Sequence, residues 1–175
     1  MSTISKRKIW FVRHAQSEYN KQRLFTGWHD PALTDLGISA ACELKEKLSS
    51  VKFDHIFSSP LKRASITAIS IVGDSSLITY DDRLKERSYG DWSGLKKEEI
   101  KDQVGEQEFL AARRGWDTKP PNGESLKDVI TRLKPFWDDF KGLRFNKDEN
   151  HLIVAHSNSL RAIIKILEKM GTRLY

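Results

Sequence analysis

Two histidines, two arginines and one glutamate have residue types and positions that suit chemistry on a phosphate group. Arg13 and His14 directly follow an apolar run, Arg63 and Glu86 each come shortly after another, and His156 follows the last. Guanidinium groups bind phosphate oxygens bidentately, and neighbouring cations favour a neutral imidazole whose free nitrogen can attack phosphorus. A carboxyl group beside a phosphate favours its protonated form and can donate a proton to a leaving alkoxide. These residues predict metal-free phosphoryl transfer, with Arg13, Arg63 and a protonated His156 stabilising the equatorial oxygens.

These side chains must be brought together by a sheet, and four short apolar runs are typical of buried strands. The runs cover residues 8–12, 54–59, 76–80 and 151–155, with helical patterns between them. Alternation of strands and helices favours a layered α/β fold. Because ligands bind beyond the carboxyl ends of the strands in such sheets, the five side chains are predicted to meet at one edge.

Two helices are predicted from apolar residues that recur every four positions. The first has a face of Leu36, Ala40, Leu44 and Leu48, and Cys42 is interpreted as a small packing residue on it. The second follows Pro60 and has a stripe of Leu61, Ala64, Ala68 and Val72. Lys62 and Arg63 lie in its first turn, where free backbone amides attract anions.

A third helix is predicted to begin at Ser125, because Asp128 three residues later completes a start resembling a capping box. Its expected buried residues are Leu126, Val129, Ile130, Leu133, Phe136, Trp137 and Phe140, and Pro135 predicts a kink. The polar and aromatic segment before it, about 90–123, is long for a crossover and is interpreted as an inserted helical lid.

Composition limits the setting of this site. The 175 residues, 38% hydrophobic and 31% charged, suit one domain over 1–175, and the net charge of +6 favours an anionic partner. The sequence contains no apolar stretch long enough for a membrane span and no secretory signal at its start, so we expect a cytoplasmic protein without a membrane partner. One cysteine excludes a disulfide framework within the chain, and His29, His55 and His151 lack a convincing ligand spacing, so no metal is expected.

Several long segments match the motifs of one known family in the same order. They are VRHA, QSEYN and LFTGWHDPALTDLG near the start, then SPLKRA at 59–64, KERSYGDWSGLKKEE at 85–99, RRGWDTKPPNGESLKD at 113–128 and VAHSNSLRA at 154–162. With these segments the chain resembles the histidine phosphatase superfamily, and within it the cofactor-dependent phosphoglycerate mutases. The resemblance implies a three-layer α/β/α sandwich, with a mostly parallel central sheet, helices on both faces and an inserted helical lid. It also implies an isomerase that interconverts 3-phosphoglycerate and 2-phosphoglycerate in glycolysis and gluconeogenesis, with 2,3-bisphosphoglycerate as the priming phosphoryl donor.

The same resemblance implies a role for individual residues. His14 would become phosphorylated, Glu86 would donate the proton, and Arg13, Arg63 and His156 would hold the transferring group. The expected substrate-binding residues are Ser17, Asn20, Thr26, Gly27, Arg87, Tyr89, Lys97, Arg113, Arg114, Ser157 and Asn158. Tyr89, Lys97 and the two adjacent arginines would grip the carboxylate and second phosphate. Dimers are common in the resembling family, although the sequence itself leaves the oligomeric state open.

The chain departs from the family pattern at three places. Ala15 and Ser157 stand where glycine is usual, and an alanine would be strained if its position required positive φ. The family usually continues after LRAIIKILEKMGTRLY into another strand and a tail that covers the active site, whereas here GTRLY at 171–175 is expected to add only a few sheet residues. A less covered phosphohistidine would lose phosphate to water, so we expect phosphatase side activity.

Two alternatives stay open beside the mutase. A phosphomonoesterase of the same superfamily would share the catalytic centre and release phosphate from small phosphorylated metabolites. Lys97, Arg113 and Arg114 oppose it, because they add more positive charge than binding one phosphate requires. A noncatalytic module for phosphoproteins or nucleic acid would explain the charge, but Glu86 would weaken its phosphate binding. Aromatic residues interleaved with arginines on a strand face are missing, so no nucleic-acid partner is expected.

Overall fold

A computed structural model of the chain describes residues 8–143 and 148–169. Within these residues, four parallel strands form one sheet in the order β1-β4-β2-β3. The strands are β1 (Lys8–Arg13), β2 (His55–Ser58), β3 (Ile78–Tyr80) and β4 (Asn150–Ala155). All four predicted strands are confirmed. The third is shorter than predicted because the Asp74 side chain accepts a hydrogen bond from the Ser76 amide at 2.8 Å, which favours a 3-10 turn over Ser75–Leu77.

Helices cover both faces of the sheet, which confirms the three-layer α/β/α architecture. They are α1 (Glu18–Lys21), α2 (Asp35–Lys47), α3 (Lys62–Val72), α4 (Lys97–Val104), α5 (Glu106–Arg114), α6 (Leu126–Gly142) and α7 (Ser157–Lys169). Ile153 and Ala155 of β4 pack in the core beneath α6 and α7, whereas Leu152 and Val154 pack on the opposite face with α3. Successive side chains of a strand point to opposite faces, so the central strand β4 supplies both cores.

The predicted apolar face of α2 is confirmed at its end and wrong at its start. Leu44 and Leu48 are half-buried and pack against the core on the α3 side of the sheet. Leu36 is 66% exposed and Ala40 is also exposed, whereas Gly37 and Ala41 are buried. Gly37 lies so close to the carbonyl oxygen of Gln16 that a side chain there would collide with it. The buried stripe therefore starts with Gly37 and Ala41, one residue after the predicted Leu36 and Ala40, and joins Leu44 and Leu48 at helical spacing. Cys42, predicted to pack, is exposed.

The first turn of α3 also differs from the sequence prediction. Arg63 is buried and Lys62 is exposed, as a helix face requires, but the Lys62 amide donates a hydrogen bond to Asp30 Oδ1 at 2.7 Å. This amide is therefore bound to a carboxylate of the chain itself. The predicted anion site at these amides is replaced by a contact that fixes α3 to the loop containing Asp30.

The long helix α6 begins as predicted. Ser125 Oγ accepts a hydrogen bond from the Asp128 amide, and Asp128 Oδ2 accepts one from the Ser125 amide, which completes a capping box. Six of the seven expected core residues are buried, and Ile130 is half-buried. The helix continues through Pro135, and the kink there stays a prediction.

The segment interpreted as an inserted lid contains a 3-10 turn over Gly90–Trp92 followed by α4 and α5. Trp92, Ile100, Phe109 and Ala112 of this segment pack with Phe25 in a hydrophobic cluster that is separate from the two sheet cores. Residues 171–175, which were expected to add sheet residues, lie outside the described residues. None of the helices between residues 8 and 169, in the parts described, is long and apolar enough to cross a membrane.

Candidate active site

A cavity of about 200 Å³ lies beyond the carboxyl ends of the strands. Thirteen of the sixteen residues predicted for the site line it: Arg13, His14, Asn20, Thr26, Gly27, Arg63, Glu86, Tyr89, Lys97, Arg113, Arg114, Ser157 and Asn158. Leu24, Phe25 and Arg161 also line it and were not predicted. Parallel strands bring their carboxyl ends to one edge, which is why residues distant in sequence share this cavity.

His14 is held as a neutral imidazole with one nitrogen available. Its Nδ1 lies 2.6 Å from the carbonyl oxygen of Ala15. Since a carbonyl only accepts hydrogen bonds, Nδ1 carries the proton and Nε2 keeps its lone pair. Burial, reinforced by the positive charges of Arg63 and Arg13, lowers the pKa of His14 from 6.5 to about 3. The ring is therefore suited to act as a nucleophile at neutral pH.

His156 lies beneath the cavity wall. Its ring is fully buried and its centroid is 5.0 Å from that of His14. Nε2 is 2.8 Å from Ser59 Oγ, whereas Nδ1 is buried and has no hydrogen-bond partner among the described residues. Burial and the charge of Arg63 lower the pKa of His156 well below 6.5. The expectation of a protonated His156 is therefore wrong for the site by itself, because burial next to a guanidinium disfavours a second cation.

Arg63 is fully buried in the first turn of α3, and its guanidinium is fixed by backbone carbonyls. Nη1 donates to the His29 oxygen at 2.9 Å, and Nη2 donates to the Gly27 oxygen at 2.8 Å. The buried Nε has no partner in the described part of the chain. These two bonds use one N–H of each terminal nitrogen, so Nε–H and the second N–H of each terminal nitrogen are left for a ligand, and the bidentate grip on phosphate stays a prediction.

Glu86 is buried, and one of its carboxylate oxygens is fixed by backbone amides. Oε1 accepts hydrogen bonds from the amides of Arg87 at 2.8 Å and Asn158 at 3.2 Å. No hydrogen bond to Oε2 is found among the residues described. The carboxylate is thus positioned through one oxygen, and the other is left for proton transfer.

Arg132 of α6 holds the loop that contains Glu86. Its Nη1 donates to the carbonyl oxygens of Arg83 at 2.6 Å and Lys85 at 3.2 Å, and its Nη2 donates to that of Glu86 at 3.3 Å. Glu124 in turn pairs with Arg132 at 3.0 Å. This network positions Glu86 from outside the cavity, and residue spacing gives no sign of it.

Cations surround the mouth of the cavity. Lys97 at the start of α4, Arg113 and Arg114 at the end of α5, and Arg161 of α7 all line it. Burial and the neighbouring charges of Arg113 and Arg13 lower the pKa of Lys97. Arg161 donates to Asn158 Oδ1 at 3.3 Å. Its position three residues after Asn158 on one helix is the signal that would have identified it.

Two predicted substrate-binding residues lie behind the cavity wall. Ser17 is fully buried and forms the capping box of α1 with Asn20. Arg87 is also buried, donates to the Ala112 oxygen at 2.7 Å and lies over the ring of Tyr89 at 4.8 Å. Both residues support side chains that line the cavity and are not part of its surface.

The two replacements of glycine near the phosphate pocket cause no backbone strain. Neither Ala15 nor Ser157 has a positive φ. The Ala15 amide donates to Thr67 Oγ1 at 3.1 Å, and Ser157 is the first residue of α7. A Cβ at these positions is therefore compatible with the observed backbone.

Comparison with known proteins gives the same family from sequence and from structure. The model of the histidine phosphatase superfamily (branch 1) matches residues 9–174. A 2,3-bisphosphoglycerate-dependent phosphoglycerate mutase from Rhodopseudomonas palustris (strain BisB18) is 41% identical over 173 residues, which cover 95% of this chain and 84% of the relative.

Similar solved structures include phosphatases. A mycobacterial glucosyl-3-phosphoglycerate phosphatase is 31% identical, with a TM-score of 0.80 over 91% of this chain and 78% of the other. The α-ribazole phosphatase from Shigella flexneri is 27% identical, with a TM-score of 0.76 over 94% and 80% of the two chains.

Proposed function

This chain belongs to the histidine phosphatase superfamily, branch 1, and we propose that it is a 2,3-bisphosphoglycerate-dependent mutase of phosphoglycerates. The observation that carries the proposal is the second group of cations at the cavity mouth. His14, Arg63 and Glu86 are enough for one phosphate, whereas Lys97 and Arg113 with their neighbours add positive charge beyond it. A substrate with a second anionic group would use that charge.

The residues present also fit 2,3-bisphosphoglycerate as primer. When bound, it supplies the first phosphoryl group to His14. Two buried nitrogens near the inner end, Arg63 Nε and His156 Nδ1, have no protein partner among the described residues. Arg63 Nε–H would donate to a phosphoryl oxygen, and His156 Nδ1 would do so when it carries a proton. Lys97, Arg113 and Arg114 would hold the groups at the other end. No residue in this scheme requires a metal.

His14 and Glu86 would carry out the chemistry together. Nε2 of His14 forms a bond to phosphorus while the bond to the substrate oxygen breaks, and Glu86 gives that oxygen its proton. In the return step a substrate hydroxyl loses its proton to Glu86, its oxygen bonds to phosphorus, and the bond to Nε2 breaks. Arg63 and Arg13 stabilise the charge on the equatorial oxygens. A dianionic phosphoryl group would also favour protonation of His156 beside it.

A phosphatase is the second candidate, and the solved phosphatase structures favour it. It would use the same His14 and Glu86 with water as the acceptor. The two functions differ in how well the site excludes water from phosphohistidine while it holds a doubly anionic acid.

One assay separates these candidates. Purified protein is incubated with 3-phosphoglycerate and a catalytic amount of 2,3-bisphosphoglycerate, and 2-phosphoglycerate and free phosphate are followed in the same sample. We expect the isomer to form faster than phosphate. Phosphate without isomer would contradict the mutase and support the phosphatase.

The nucleophile is tested separately. His14→Ala is expected to form no acid-labile phosphoenzyme, whereas the exposed His29→Gln keeps it as a matched control. A phosphoenzyme in His14→Ala would overturn both candidates, because both depend on this residue.

The setting of the enzyme is proposed on the family resemblance. We expect it to act in the cytoplasm on small phosphorylated metabolites, in glycolysis and gluconeogenesis, as a homodimer. Light scattering after size-exclusion chromatography tests the dimer against the 20.2 kDa of one chain.

A further inference from the structure

Three potential metal ligands meet at the end of the sheet opposite the cavity. His55 is the first residue of β2 and His151 the second of β4, and the parallel register pairs them directly. Their rings stack with centroids 5.3 Å apart and planes at 23°. Glu149 precedes β4 by one residue and brings a carboxylate to the same place.

The ligand atoms of these three residues are close enough to converge on one ion. They all lie within 4.8 Å of one another, and His55 Nε2 is 3.6 Å from Glu149 Oε2. Two ligands of a tetrahedral Zn²⁺ ion, each bound at about 2.1 Å, lie about 3.4 Å apart. Closing the longest separation takes a shift of up to about 1.4 Å and a rotation of one stacked ring toward the ion. His55, whose side chain is 43% exposed, has the freedom for both.

We propose that His55, Glu149 and His151 bind one divalent transition-metal ion of the Zn²⁺ type. Two imidazole nitrogens and one carboxylate oxygen form a ligand set that suits this ion better than Mg²⁺ or Ca²⁺, which prefer oxygen ligands. Water reaches the exposed side of His55 and supplies the fourth ligand. His151 is fully buried, so one ligand is fixed in place by the core.

A bound cation would have all three side chains as ligands together. The strand register places the His55 and His151 imidazoles beside each other, and the Glu149 carboxylate lies within reach of both.

The site is structural, because it lies far from the reacting atoms. From His151 to Ala155 the strand rises about 13 Å, and the cavity lies beyond that end. The metal joins β2 to β4, strands that are distant in the chain, so it stabilises the folded sheet without changing turnover.

Zn²⁺ binding is measured on untagged protein in phosphate-free buffer. The parent is His14→Ala, because His14 and His156 are also neighbouring histidines and would compete for the metal. Calorimetric titration is expected to give one Zn²⁺ per chain. The melting temperature is expected to rise by roughly 5–10 °C when Zn²⁺ exceeds its Kd about a hundredfold.

Variants of the partly exposed ligands decide the assignment. His55→Ala and Glu149→Gln in the same parent are expected to lose the Zn²⁺-dependent rise and to keep the parent's melting temperature in EDTA within a few degrees. His29→Gln, which changes an exposed histidine elsewhere, keeps the rise. A parent that Zn²⁺ leaves unchanged, or an equal rise in both ligand variants, would overturn the site. This test does not depend on whether the enzyme is a mutase or a phosphatase.

Discussion

At the scale of single residues, the lowered pKa of His14 links the nucleophile to the acid stability of the fold. The imidazole has a pKa of about 3 in the folded protein against 6.5 when exposed. Between these values the unfolded chain binds more protons, so the free energy of unfolding falls as pH decreases below 6.5. The burial that keeps His14 neutral at pH 7 therefore makes the folded protein less stable in acid.

We expect His14→Gln to make stability less sensitive to acid. Between pH 7.5 and pH 5 the wild type loses about 2 kcal/mol through this one group, and the variant does not. Urea unfolding at the two pH values in phosphate-free buffer measures the difference. His29→Gln, at an exposed histidine, should behave as the wild type. An unchanged pH dependence in His14→Gln would contradict the lowered pKa.

Glu86 is predicted to speed phosphoryl transfer most for substrates whose leaving group must gain a proton. Glu86→Gln keeps an acceptor for the amides of Arg87 and Asn158 but cannot transfer a proton. We expect phosphoryl transfer from a phosphoglycerate to slow about 100-fold or more. Transfer from p-nitrophenyl phosphate, whose leaving group needs no proton, should slow far less. Equal losses with the two substrates would show that Glu86 acts through position alone.

The sequence predicts which residues form the site, but not their hydrogen-bond partners or their protonation. Arg63 and His156 were found because they follow strand ends, and strand ends can be located from apolar runs. The carbonyls of Gly27 and His29 that orient the Arg63 guanidinium, and the burial that lowers the pKa of His156, depend on tertiary contacts. No residue spacing reports them.

At the scale of elements, the loop containing Gly27 positions Arg63 through its backbone. Gly27 has a φ of +53°, and its carbonyl accepts the Arg63 Nη2 hydrogen bond. A Cβ there would lie 2.9 Å from Ser93 Oγ and 3.0 Å from the Tyr89 amide nitrogen. The conformation of this loop is thus tied to the phosphate-binding arginine.

Gly27→Ala is expected to lower both stability and activity. The positive φ costs about 1 kcal/mol, and the close contacts displace the carbonyl that orients Arg63. Gly73→Ala is the matched control, because its φ is +82° but its Cβ would meet only Lys45 Nζ at 3.9 Å, at the end of α3. Urea unfolding and kcat/KM should show a stability loss in both variants and a loss of activity in Gly27→Ala alone. Full activity in Gly27→Ala would rule out this role of the loop.

Elements with local signals were predicted well, and those set by a tertiary contact were not. The capping box of Ser125 and Asp128 lies within four residues, so the start of α6 was read correctly. For α2, a repeat of four predicts the inward positions of Leu44 and Leu48 but not the start of the helix, where Gly37 lies against the Gln16 carbonyl. Leu36 is exposed as a result.

At the scale of the whole molecule, parallel strands give the sheet two chemically different edges. The carboxyl edge was predicted as the site because strand ends there bear Arg13, His14 and His156. At the amino edge, the strand register brings His55 beside His151. Residue spacing along the chain could not reveal this pair, but strand pairing could have.

The charge of the molecule is concentrated where a doubly anionic substrate would bind, and this predicts a salt dependence that follows substrate charge. Among the described residues, the cavity is lined by Arg13, Arg63, Lys97, Arg113, Arg114 and Arg161 against the one carboxylate of Glu86. The Debye length falls from about 10 Å at 0.1 M salt to about 3 Å at 1 M. Charges at the cavity mouth that act over several ångströms are therefore screened more than those in direct contact with phosphate.

We expect the KM for 3-phosphoglycerate to rise roughly tenfold between 0.05 and 0.5 M sodium acetate, with less change for p-nitrophenyl phosphate. The first substrate bears a carboxylate besides its phosphate, so it interacts with both groups of cations. Lys97→Met should reduce the salt dependence for 3-phosphoglycerate and leave that for p-nitrophenyl phosphate nearly unchanged, because Lys97 lies with the outer cations. Equal slopes for the two substrates in the wild type would mean that the outer cations do not contact the substrate, and the argument for a doubly anionic ligand would fail with them.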